Sequence, residues 1–146
     1  MARTIDEVGG LKLYADGQVS VAYGLEGEPH PIQTDKTHGV KFHSSIKGSE
    51  VYMTVRDGEF FVLKGSKLRS MTDSLRTSEV QSIASIRRDR VELENDPTRC
   101  KNGKLLVDVS FKSSSRALAV MLGCSAVQGP KYWEDDEGRP LSDYLV

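Results

Sequence analysis

Three groups of side chains in this sequence have the types and spacing to handle an anion. Lys64, Ser66, Lys67 and Arg69 follow an apolar run and flank Gly65. A lysine, a hydroxyl and exposed backbone N–H groups at a strand end can contact phosphate, and the same residues also read as a tight turn with a solvated lysine. Arg87, Arg88 and Arg90 crowd the end of a helical pattern. Guanidinium forks there can grip phosphate oxygens in pairs or complement the negative helix C-terminus. Ser113, Ser114 and Ser115 open a second helical pattern, where hydroxyls either receive an anion or cap the helix.

No catalytic residue is expected. A nucleophilic serine needs a base, and His30, His38 and His43 have no triad spacing. His38, His43 and Asp35 fall short of a metal ligand set, so no metal is expected. Lys64-Gly65-Ser66 lacks the longer glycine-rich context of a nucleotide loop, and no cofactor is expected. Asp135, Asp136 and Glu137 read as a solvated charge run without the second carboxylate cluster of a two-metal site. Trp133 reads as a core anchor, whereas Tyr132 is open to stacking on a base.

The 146 residues suit one domain with a real core, and 38% hydrophobic with 28% charged residues is ordinary for a soluble globular chain. A net charge of −1 gives no overall attraction to nucleic acid, so any such contact needs a local basic face. Cys100 and Cys124 match no zinc spacing and read as free thiols in a reducing compartment. The N-terminal MARTIDEVGG lacks the apolar core of a signal peptide, and no apolar run approaches a membrane span of ~18 residues. A cytoplasmic, soluble protein without membrane contact is expected; its oligomeric state is left open.

These groups need elements to hold them. Asp16-Gly17 between alternating runs predicts an N-terminal β-hairpin, and residues 24–40 read as a linker, dividing the chain into residues 1–40 and 41–146. VKFHSSI, EVYMTVR and the run Phe60–Leu63 predict strands, with Asp57-Gly58 as a hairpin turn and the apolar run as a central strand. Ser78 and Gln81 suggest a capping box for a helix with Val80, Ile83, Ala84, Arg87 and Val91 on one stripe and Ile86 nearby. Asn102-Gly103 is another turn, and LLVDVSF reads as a strand with Leu105, Val107, Val109 and Phe111 on one face. Ser113 or Ser114 caps the next helix, Gly123 stops it, and Leu141, Tyr144 and Leu145 are expected to dock beneath Trp133. The class is α+β: a small, mainly antiparallel sheet with two short helices, plus the N-terminal hairpin.

FVLKGS (61–66), Asp108 and Phe111 in D-x-x-F spacing, Ser113, Ser115, Ala117, Ala119, Gly123 and Trp133 resemble a small domain of unknown function. It occurs C-terminal to GIY-YIG nucleases and alongside restriction-enzyme adenine methylases; the resemblance spans roughly residues 42–145. It departs at Ser114, where that domain usually has proline, and at Gln128, where it often has asparagine. The resemblance implies an accessory module near nucleic-acid enzymes, with Phe111, Ser113, Gly123 and Trp133 structural.

Two functions are expected from different classes. One is a non-catalytic module that touches DNA or RNA phosphates through Lys64, Ser66, Lys67, Arg69, Arg87, Arg88 and Arg90. The other is a regulator that binds a protein or small ligand, for example a partner enzyme of bacterial or phage defence.

Overall fold

The computed structural model describes residues 34–71, 84–124 and 128–145. The expected N-terminal hairpin and the Ser78–Gln81 capping box lie outside the described residues. In chain order come a helical turn α1 (Thr34–Thr37), strands β1 (Phe42–Ser44), β2 (Val51–Arg56) and β3 (Glu59–Val62), and helix α2 (Ala84–Glu94). Strands β4 (Cys100–Lys101), β5 (Lys104–Leu105) and β6 (Val109–Phe111) follow, then helix α3 (Ser114–Leu122) and a turn α4 (Gly129–Tyr132). Turns of 3₁₀ helix occupy Ile46–Gly48 and Leu141–Tyr144.

The fold is α+β. Four strands pair antiparallel in the order β1-β2-β3-β6, and β4 and β5 form a separate two-stranded hairpin. Two tight turns set the registers. Arg56 faces Glu59 and Lys101 faces Lys104, so each loop has two residues. Asp57 (φ 51°) with Gly58 (φ 78°), and Asn102 (φ 54°) with Gly103 (φ 75°), supply the paired positive angles of such turns.

Alternation then sorts the faces. Val51, Met53 and Val55 of β2 and Phe60 and Val62 of β3 point inward to the core, where β3 meets α3, while Tyr52 and Arg56 point out. Phe42, Met53, Phe60, Leu118, Met121, Trp133 and Leu141 fill the core. Each large apolar side chain buried there contributes roughly 1.5–3 kcal/mol. Helix α2 packs outside α3.

Three expectations are corrected. The linker over residues 24–40 contains the turn α1, whose Thr37 is buried. LLVDVSF is two strands, not one: Asp108 turns the chain between them, accepting the Lys64 N–H at 2.8 Å and the Arg56 guanidinium at 3.2 Å, and Val107 is exposed. The buried stripe of α2 is Ile86, Arg90 and Leu93, still at helical spacing but rotated from the expected one, and leaves Val91 46% exposed. Burying an arginine overrode the apolar count, and its hydrogen bonds explain why.

Candidate functional site

The serine corner is closed. Ser113 caps α3, its hydroxyl accepting the Arg116 N–H at 3.0 Å. Ser115 accepts the Gly129 N–H at 2.9 Å, and the Ser114 carbonyl accepts the Trp133 indole N–H at 3.0 Å. All three serines are buried. A Cβ on Gly129 would overlap the Ser114 and Ser115 backbone, so only glycine admits this approach. Gly123, at φ 70°, ends α3 in the left-handed conformation. Ser113, Gly123 and Trp133 are thus engaged in capping, helix closure and core packing, and Phe111 packs half-buried against the core.

The other end of α3 takes up two of the arginines. Arg90 is 4% exposed and donates to the Val120 carbonyl at 3.2 Å, to Met121 at 2.7 Å and to the Arg69 carbonyl; its Nε meets Glu94 at 2.6 Å. Arg69 donates its guanidinium to the Leu122 carbonyl at 3.3 Å and its N–H to Met121. The last carbonyls of a helix lack intrahelical donors and carry its negative end. Arg69 and Arg90 satisfy them from two neighbouring segments. Arg90, expected at phosphate, is placed with these donors directed inside the fold. Ser66 is fully buried as well, its hydroxyl accepting the Tyr52 N–H at 3.0 Å. Arg88 is exposed beside Asp89 at 3.3 Å, and Arg87 is half-buried. Lys64 and Lys67 remain at the surface.

Lys67 belongs to a row that the linear sequence hides. It stands opposite Glu50 on one side and Lys104 on the other, and Lys104 stands opposite Lys101. Residues directly opposite in antiparallel strands share a face, with Cβ atoms ~4.5–5.5 Å apart. Lys67, Lys104 and Lys101 are thus neighbours on one exposed surface. Lys67 pairs with Glu50 at 4.0 Å, open to solvent, a geometry of little energetic value. Lys101 lies on an edge strand, where lysine ordinarily discourages strand pairing. Lys104 and Lys67 lie inside the row, where that purpose does not apply. The missed residues are Lys101 and Lys104; the Asn102-Gly103 turn between them was the available signal, because a two-residue turn makes its flanking residues a facing pair.

The row joins the outer face of the sheet. Glu50 has the same parity along β2 as Tyr52 and Arg56, all exposed, against inward Val51, Met53 and Val55. Tyr52 is 41% exposed, faces His43 of β1, and carries the Lys41 ammonium 5.9 Å from its ring centroid. Arg56 lies 4.8 Å from the Phe61 ring centroid on the same face.

Elsewhere, a cavity of about 290 Å³ opens between α2, β6 and α3, lined by Asp89, Glu92, Arg99, Phe111, Lys112 and Arg116 among others. Arg116 spans it to Asp89 at 2.7 Å. Asp135 is no solvated charge. Burial alone would raise its pKa, but the Tyr144 hydroxyl at 2.7 Å, the N–H groups of Arg139 and Glu137, and the Arg139 guanidinium outweigh that and hold the carboxyl well below the usual carboxylate range. Burial pushes the Cys100 thiol up, and Cys100 and Cys124, both buried, form no disulfide. Among the described residues, no group of three His, Cys, Asp or Glu is placed to hold a metal ion, and no helix is long and apolar enough to cross a membrane.

Residues 41–145 match the family model described as Domain of unknown function (DUF4357), well over half of the chain. No curated protein matches, and no solved structure matches.

Proposed function

The chain belongs to the DUF4357 family, and we propose that it is a non-catalytic module that binds nucleic acid by its phosphates through the row Lys67, Lys104 and Lys101. The juxtaposition of three exposed lysines carries this reading. Like charges directly opposite oppose folding, and a polyanion turns that repulsion into attraction by releasing its own counterions. The net charge of −1 restricts binding to this local surface. Lys64 and Arg88 add exposed cations; Arg90, Ser66 and Arg69 contribute through the frame. The resemblance to domains that accompany GIY-YIG nucleases and adenine methylases supports a cytoplasmic setting beside a DNA-modifying partner, in bacterial or phage restriction-modification. An electrophoretic mobility assay at low salt tests the reading. Wild type shifts DNA or RNA and Lys101→Ala/Lys104→Ala shifts it less; no shift by wild type overturns the proposal.

A second reading, a small-ligand-binding regulator, rests on the cavity beside the Arg116–Asp89 pair. Its volume lies at the lower end of ligand pockets, ~300–1,000 Å³. Thermal stabilisation by small anions, without any oligonucleotide binding, would favour it.

A further inference from the structure

The lysine row and Tyr52 lie on one continuous surface. Tyr52 is two residues from Glu50, which immediately precedes β2, and Glu50 opens the row Lys67, Lys104, Lys101. Strands rise ~3.4 Å per residue and lie ~4.8 Å apart. The Tyr52 backbone is therefore about 7 Å along the strand from Glu50, and Lys67 is one strand over. Tyr52 is 41% exposed, so its ring is open to solvent on that face. Its partner Lys41 is itself an exposed cation at 5.9 Å from the ring.

From this juxtaposition we propose that the ligand is a single-stranded nucleic acid, with Tyr52 stacking on a base while the lysine row tracks the adjoining phosphates. This rests on the phosphate-binding reading above and sharpens it. The base faces of a duplex are occupied by neighbouring base pairs, so a ring set in a sheet face reaches a base only where the strand is unpaired. An aromatic platform beside a cationic groove is the combination that holds single strands with little regard to sequence. Tyr132, considered earlier for stacking, is exposed on α4, and Trp133 is fully buried.

The test measures binding of the full chain to a labelled oligothymidylate of about 12 nucleotides, within the ~4–16-nucleotide range of such sites, and to a duplex of the same length. Wild type is expected to prefer the single strand. Tyr52→Leu, which keeps apolar bulk without a π face, weakens single-strand binding about tenfold, leaves duplex binding unchanged, and Tyr52→Phe restores it. Unchanged single-strand affinity in Tyr52→Leu, or equal weakening on both probes, overturns the stacking proposal and leaves the lysine-row reading standing. Binding to neither probe by wild type overturns both.

Discussion

Lys104 stands directly between Lys67 and Lys101, opposite each across neighbouring strands, on an exposed surface where Glu50 stands opposite Lys67 and pairs with it at 4.0 Å. An interior strand position with lysines on both sides is unfavourable for stability.

Replacing that central lysine should therefore separate stability from binding. Lys104→Thr removes two like-charge contacts and introduces a β-branched residue in a strand. Urea denaturation is expected to show a gain of roughly 0.2–1 kcal/mol, with weaker nucleic-acid binding in the same protein. A loss of stability on substitution would show that the row is not under repulsion.

Arg90 is expected to act as a stability residue and not as a ligand contact. Arg90→Lys cannot reach the Val120, Met121 and Arg69 carbonyls together with Glu94. Losing these buried hydrogen bonds, two of them to helix-end carbonyls, costs about 2–4 kcal/mol. Denaturant titration reads the loss, and the folded fraction should bind oligonucleotide as wild type does. A stability change within ~0.5 kcal/mol would contradict the capping role.

Gly129→Ala tests the closed serine corner. The new methyl meets the Ser114 and Ser115 backbone, which cannot rotate away. Overpacking of this kind costs ~1–3 kcal/mol. The Trp133 indole bond to Ser114 should loosen with it, so tryptophan emission shifts to the red. Wild-type stability and emission would mean the segment approaches α3 less closely.

Asp135 predicts an acid limb of stability. Its folded pKa lies below the ordinary 3.8, so its contribution is present above that ordinary value and fades as pH falls from there toward the folded pKa. Asp135→Asn should lower the thermal midpoint at pH 7, and the gap to wild type should narrow below about pH 4. A gap independent of pH would remove the carboxylate from the account.

The hairpin turns were readable because Asp57-Gly58 and Asn102-Gly103 have one favoured geometry. The cap at Ser113, the stop at Gly123 and the buried Trp133 were readable because residue type and local position coincide. The two arginines that close α3 were not. Nothing local tells a surface guanidinium from one whose acceptors lie on another helix, 30 residues away in the case of Arg90 and Val120. The lysine row was equally hidden, since Lys67 meets Lys104 only after a stretch that includes α2 has returned to its side. Opposition across strands is a property of register, and long-range register is not written in any short window.

The most direct measurement of the central claim is the salt dependence of oligonucleotide affinity for wild type and Lys67→Ala/Lys101→Ala/Lys104→Ala. Each phosphate neutralised adds ~0.7–0.9 to the slope of log K against log salt. The account predicts that the triple variant binds more weakly and that its slope falls by about two to three. A variant with wild-type affinity and wild-type slope would contradict it.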